Sequence, residues 1–298
     1  MFFTRTSINR NLVLRSLMLL CLLLPVGASA GQRHPTALVV FGDSLSDNGN
    51  LFRVTGGAIP PSPPYFKGRF SNGPVWAEYV AAELGVPLVD FAFGGALTSR
   101  LNEFDSLADL PGLTDEIDAF AAMNPSGADP NAVYVVWAGA NDFFAAPSAA
   151  TISGAITNLL IAVGTLDVLG ARHIVVANMP DLGITPDGLA SGFSAELTAL
   201  SAAFNAALAK ALDVSGVDVA QVDIFKLLHK IVAEPSDFGF TDVTTPCLTL
   251  EPFSLCRHRD EHLFWDSVHP TTRGHAILAR TFGKVIEKAL RKDAHAHR

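Results

Sequence analysis

The sequence predicts an α/β fold: a mainly parallel sheet of about five strands with helices on both faces, in one domain over residues 31–298. Three observations carry that expectation. Five apolar runs of strand length recur along the chain, and longer helical patterns fall between them. Several of the runs are continuously apolar, as strands covered on both faces are. No internal repeat or linker breaks the alternation.

The first thirty residues read as an address. Arg5, Arg10 and Arg15 make a basic start, Leu17 to Leu24 is unbroken apolar sequence, and Ala28-Ser29-Ala30 is a small-x-small cleavage signal. The run is short of the roughly 20 apolar residues a bilayer span needs. Cys21 lacks the small-residue context of a lipid anchor. The expectation is a signal peptide over 1–30, a mature chain from Gly31, and a secreted or periplasmic protein. Removing 1–30 takes three arginines and no acid from a net charge of −8, leaving −11. Such a surface has no electrostatic reason to bind nucleic acid.

The strand candidates are 37–41, 87–91, 132–137, 173–178 and 217–224. A helix over 76–84 follows Ser71-Asn72-Gly73-Pro74, and one over 113–123 follows Pro111-Gly112. A long helix over 152–169 stops at Gly170, and an Ala/Leu-rich one over 193–212 follows Ser191. The last, 271–290, places Lys288, Arg291 and Lys292 at its negative end. Two stretches resist regular structure. Residues 53–73 carry Pro60, Pro61, Pro63 and Pro64 among glycines, and 234–263 leads into Asp266. Irregular segments of that length are usually functional or disordered, and these two are the expected pocket walls.

The first strand ends at Gly42, and Ser44 follows in a turn. Ligands of open α/β sheets sit outside the strand ends, so Ser44 is a candidate nucleophile. A serine hydroxyl needs a base, and the base needs an orienting group. His269 is the candidate base, and Asp266, three residues earlier, is the candidate orienter. Acyl transfer also needs donors for an oxyanion. The backbone N–H of Ser44, the N–H of Gly95 in a Gly-Gly turn and the side-chain amide of Asn141 are the candidates. Each alone reads equally well as turn or cap chemistry. Their common position at strand and helix edges points to one rim.

These residues carry a resemblance. The chain resembles the GDSL, or SGNH, family of serine esterases and lipases over nearly all of residues 31–298. Gly42-Asp43-Ser44-Leu45-Ser46-Asp47 is similar to its first block, which gives Ser44 as nucleophile. Asp90-Phe91-Ala92-Phe93-Gly94-Gly95-Ala96 and Gly139-Ala140-Asn141-Asp142 are similar to blocks that supply oxyanion donors from Gly95 and Asn141. Asp266-Ser267-Val268-His269-Pro270 is similar to the block of the acid and base. Lys67-Gly68-Arg69-Phe70-Ser71-Asn72-Gly73 and Asn178-Met179-Pro180-Asp181-Leu182-Gly183 resemble the lecithinase and thermolabile-haemolysin branch. Asp90 departs from the family, which usually has asparagine there. The resemblance implies a three-layer α/β/α, flavodoxin-like fold, with no metal and no organic cofactor. An ordinary α/β-hydrolase would instead show Gly-x-Ser-x-Gly around its serine.

Cys247 and Cys256 are the cysteines left after 1–30. They form either a disulfide closing a small loop or two buried thiols, and an oxidising compartment favours the bond. His258 and His262 have helical metal spacing but sit in a charged run, which reads as solvated surface. The expected activity is hydrolysis of carboxylic acyl esters, lipid or phospholipid esters foremost, with transient contact to a membrane surface. Phe66, Phe143 and Phe144 are the expected acyl-binding wall. Acyl transfer to an alcohol, deacetylation of carbohydrate and an inactive binding protein are the alternatives.

Overall fold

The computed structural model describes residues 34–104, 109–145 and 148–296. The expected leader, 1–30, lies outside them. The chain runs through β1 (Leu38–Gly42), α1 (Asn50–Val54), α2 (Trp76–Leu84), β2 (Leu88–Asp90) and α3 (Leu113–Met123). Next come β3 (Val133–Trp137), α4 (Ala140–Ala145), α5 (Ala149–Val168) and β4 (His173–Ala177). Then follow α6 (Pro186–Ser191), α7 (Ser194–Ser215), β5 (Val219–Val222) and α8 (Ile224–Ala233). A short hairpin, β6 (Leu248–Thr249) and β7 (Ser254–Leu255), precedes the closing helix α9 (Thr272–Ala296).

Five strands form one sheet in the order β2-β1-β3-β4-β5, every pair parallel. Leu38 faces Leu88 on one side and Val133 on the other, so β1 is interior. The chain moves outward from β1 to β2 and then back across to β3. That reversal opens a crevice at the carboxyl ends of β1 and β3, where such folds bind ligands.

Alternation along the strands separates two cores. Val39, Phe41, Tyr134 and Val136 pack with Leu113 of α3, Leu159 of α5 and Phe204 of α7. Leu38, Val40, Val135 and Trp137 pack with Trp76 of α2 and Phe282 of α9, whose rings stack 3.8 Å apart. Each fully buried Leu or Phe contributes roughly 1.5–3 kcal/mol. The fold is therefore the three-layer arrangement the sequence predicts, and the two-sided burial explains the unbroken apolar strands.

The largest difference at a strand boundary falls at the last strand. The run expected as a strand over 217–224 pairs only over Val219–Val222. Asp223 stops it by accepting the Lys226 N–H at 3.0 Å, which caps α8. Ile224, Leu227, Leu228 and Ile231 repeat at helical spacing after that cap. The signal for α8 was present, but the adjoining apolar strand masked it.

Candidate active site

β1 can end where it does because of Gly42. Its φ is +152°, and a Cβ there would lie 2.1 Å from the Trp137 carbonyl oxygen of β3. The chain then turns through Asp43 and Ser44 to Asp47. Asp47 is fully buried and its carboxylate accepts the N–H groups of Gly49, Leu51 and Gly94 at 2.7, 3.1 and 2.8 Å. It also accepts the N–H of Asn50. The turn after Ser44 is thus tied to the Gly94-Gly95 loop.

The structure brings Ser44, His269 and Asp266 together. Ser44 Oγ lies 2.7 Å from His269 Nε2, and His269 Nδ1 lies 2.8 Å from Asp266 Oδ2. Nδ1 faces carboxylate oxygens, so it carries the ring proton and Nε2 is left to accept from the Ser44 hydroxyl. Asp266 Oδ1 accepts the N–H groups of Val268 and His269 at 3.0 and 2.8 Å. Asp266 Oδ2 accepts from the Tyr65 hydroxyl at 2.7 Å. Burial opposes charge on both partners, yet their mutual attraction and hydrogen bonds outweigh it. Asp266 is held below the ordinary carboxylate value and His269 above the ordinary imidazole value. Asp43, beside Ser44, is pushed up to about 7 by burial, against its Leu45 N–H bond and the nearby His269.

The branch-specific stretch around Phe70 braces this turn. The Phe70 ring lies 5.0 Å from the His269 ring, Ser71 Oγ donates to the Pro270 carbonyl at 2.9 Å, and Asn72 Oδ1 accepts the Thr272 N–H at 2.7 Å. The stretch at Asn178 does the same for α8: Asn178 Oδ1 accepts the N–H groups of Ile224 and Phe225 at 2.7 and 3.1 Å.

The oxyanion candidates share one cleft with Ser44 and His269. Among the described residues, the backbone N–H groups of Ser44 and Gly95 have no acceptor. Gly95 has φ +78°, and a Cβ there would meet Asn102 Oδ1 at 2.6 Å and the Phe104 ring at 2.7 Å. Only glycine presents its N–H there. Asn141 donates one N–H to the Ala96 carbonyl at 3.0 Å, which fixes the amide and leaves its second N–H available. Its neighbour Asp142 accepts from the N–H and hydroxyl of Thr98 at 2.9 and 2.6 Å, pinning the same loop. The departure at Asp90 is local. Its carboxylate accepts the N–H groups of Asn48 and Ala92 at 2.9 and 3.0 Å, a task that uses both oxygens.

Two cavities meet at Ser44, Asn141, Phe144 and His269. One is an apolar channel walled by Trp137, Ile224, Leu228, Ile231, Phe264 and Leu278. The other is a more open cleft walled by Phe70, Glu103, Phe104 and Asp187. The expected aromatic wall is therefore corrected. Phe144 lines both cavities, but Phe143 is 2% exposed and packs edge-on against Phe204 in the core. Phe66 lies beneath the cations of Lys67 and Arg69, at 5.2 and 5.9 Å from its ring centre, and lines neither cavity. Residues 53–73 brace the Asp266–His269 turn through Tyr65, Phe70 and Ser71 more than they wall a pocket. From 234–263, Leu263 alone reaches the channel.

Cys247 and Cys256 are joined, with Cα atoms 4.8 Å apart, across β6 and β7. Cys247 packs with Tyr65 and Trp265, directly behind Asp266. His258 lies on the surface and His262 is 3.8 Å from Asp242. Among the described residues, no group of three or more His, Cys, Asp or Glu side chains is placed to hold a metal ion.

The family model for GDSL-like lipase/acylhydrolase matches residues 38–282. The chain is 28% identical to a phosphatidylcholine-sterol acyltransferase of Aeromonas hydrophila, covering 91% of this chain and 96% of that protein. It is 27% identical to a thermolabile hemolysin of Vibrio parahaemolyticus and 30% identical to esterase EstA of Pseudomonas aeruginosa. It spans only 63% and 50% of those two proteins. Among solved structures it is similar to a member of the lipolytic protein G-D-S-L family from Veillonella parvula. The TM-score there is 0.50 at 15% identity, over 84% of this chain and 97% of that one, a likeness of fold.

Proposed function

This chain belongs to the GDSL-like lipase/acylhydrolase family and is a carboxylic ester hydrolase, and from that premise we propose that it cleaves lipid acyl esters through an acyl-Ser44 intermediate. One observation carries the reading: the hydrogen-bonded series Ser44–His269–Asp266 opens directly into an apolar channel. In the proposed mechanism Ser44 Oγ bonds to the ester carbon while its proton passes to His269 Nε2. The carbonyl π pair moves onto oxygen, where the N–H groups of Ser44, Gly95 and Asn141 receive it. His269 then gives its proton to the departing alcohol oxygen as the carbon–oxygen bond breaks. Water attacks the acyl-enzyme, loses its proton to His269, and frees the acid and Ser44.

Asn141→Ala is expected to lower kcat by about 10²–10³ with little change in KM, as loss of one oxyanion donor does. Unchanged kcat with an altered Tm would make Asn141 a helix-start residue only.

The channel supports the acyl preference. Its named walls are aliphatic or aromatic, whereas a sugar needs many polar partners. Each buried methylene stabilises binding by about 0.8 kcal/mol. From acetyl to octanoyl esters, kcat/KM is expected to rise several-fold per two carbons and then level off. Leu228→Trp, which fills the channel, should move the plateau to shorter acyl groups. A flat profile with acetyl preferred would end the lipid reading in favour of carbohydrate deacetylation.

The same acyl-enzyme could pass its acyl group to an alcohol, as the name of the Aeromonas relative says of that protein. Product analysis with a sterol or glycerol present distinguishes transfer from hydrolysis. Export, with cleavage after Ala30, is part of the proposal. The basic-apolar-small order of 1–30 and the Cys247–Cys256 bond support it.

A further inference from the structure

Glu116 belongs to none of the motifs that mark the site. It lies on α3, is 2% exposed, and reaches the carboxyl ends of two segments distant in sequence. Its Oε2 accepts the Gly42 N–H at 2.8 Å, and its Oε1 accepts the Phe93 N–H at 3.2 Å. Gly42 stands two residues before Ser44, and Phe93 stands two residues before Gly95. One carboxyl group therefore spans the strand end that presents the Ser44 N–H and the loop that presents the Gly95 N–H. We propose that Glu116 is a positioning residue that sets the spacing of the Ser44 and Gly95 donors, and through them the strength of the oxyanion site. The inference rests on the oxyanion roles proposed above.

The surroundings make that bridge consequential. The Phe93 N–H also donates to the Gly42 carbonyl at 3.0 Å, so the two segments are joined directly as well as through Glu116. Asp47 supplies a second tie one residue further on, through the Gly94 N–H. On the far side of the loop the Asn102 amide donates to the Gly94 carbonyl at 3.0 Å, and the Gly95 carbonyl accepts the Glu103 N–H at 2.9 Å. A buried carboxyl without a cation is unfavourable unless hydrogen bonds offset its desolvation. Burial, with the nearby Asp90 and Asp43 charges, pushes the Glu116 pKa well up, and the two N–H bonds pull the other way. A purely space-filling role would call for an apolar side chain here. Two acceptors, aimed at two separate backbone donors, do something else: they fix a distance.

The test is Glu116→Gln. The amide keeps the shape but presents an NH2 to one of the two backbone N–H groups, forcing one segment away. A displacement on the order of 1 Å at a reacting centre costs about a hundredfold. The expected kcat is therefore about ten- to a hundredfold lower, with KM within about twofold. The decisive readout compares an oxygen ester with its thiono analogue, whose C=S sulfur is too large for a well-spaced oxyanion site. In the wild type the oxygen ester should be strongly preferred, and in Glu116→Gln that preference should shrink by the same factor as kcat. Glu116→Asp, which retains the carboxyl group but loses reach, should shrink it as well. Equal losses on both esters, or a lower Tm with unchanged kcat, would make Glu116 structural and overturn the inference. Failure of both variants to fold would do the same. A wild type with no preference for the oxygen ester would instead overturn the oxyanion roles of Ser44 and Gly95.

Discussion

Ser44→Ala and His269→Ala should each lower kcat by about 10⁴–10⁶, and the double variant should be scarcely worse than either. The reason is geometric. Ser44 Oγ and His269 Nε2 are 2.7 Å apart, so removing either leaves the other without its partner in proton transfer. A hydroxyl without a base attacks an ester no faster than water does, and a base without the hydroxyl has only water to activate. What survives is binding in the channel and stabilisation by the N–H donors. The measurement is kcat on a p-nitrophenyl ester for the three variants, with folding checked by near-ultraviolet circular dichroism. Losses that multiply in the double variant would show two independent contributions and sink the assignment of a single nucleophile–base unit. A burst of p-nitrophenol in the wild type, absent in Ser44→Ala, would place the acyl group on Ser44.

How much of this was legible beforehand depends on how local each signal is. The helices at Trp76–Leu84 and Leu113–Met123 match the expected ranges because proline and glycine mark their starts. Asp266, His269 and Ser44 stand out in the sequence because each sits where a strand or helix changes into a turn, and the turn chemistry is written in adjacent residues. Phe143 and Phe144 show the limit. They are adjacent on α4, so their side chains point about 100° apart, and no reading that treats them as a pair can be right for both. The expected elements did not include α4, so its register was not available. Asn141 fixes that register by facing the cleft, which sends Phe143 to the core and leaves Phe144 at the channel.

Tyr65 and Glu116 had no local signal at all. Tyr65 meets Asp266 across 201 positions, and Glu116 meets Gly42 across 74. Tyr65 stands in the irregular stretch 53–73, which the sequence marks as a pocket wall. The structure spends it on Asp266. The Cys247–Cys256 hairpin then packs behind Tyr65 and Trp265, so the second irregular stretch backs Asp266 from the far side. Long-range hydrogen bonds of this kind depend on how the layers close, which no spacing along the chain records.

Asp266→Asn tests that arrangement with the second largest effect. Every contact of the Asp266 carboxylate is to a donor: two backbone N–H groups, His269 Nδ1 and the Tyr65 hydroxyl. An amide NH2 cannot accept from His269 Nδ1–H. The imidazole then moves its proton to Nε2, where it faces Ser44 and cannot take the hydroxyl proton. Loss of the correct tautomer is expected to lower kcat by about 10⁴. The pH profile adds a sign. His269 must be neutral to act as base, and Asp266 holds its pKa above the ordinary imidazole value of about 6.5. In the wild type kcat/KM should therefore fall as pH drops through a value above about 6.5, and in Asp266→Asn that limb should move to lower pH. Tyr65→Phe is the control. It removes one neutral donor but keeps the carboxylate and the tautomer, so its loss should stay below about a hundredfold. Its acid limb should remain above about 6.5, because the charge beside His269 is intact. An Asp266→Asn enzyme with near-normal kcat, or with an unmoved acid limb, would show that Asp266 only shapes the turn and that the base is oriented by another group.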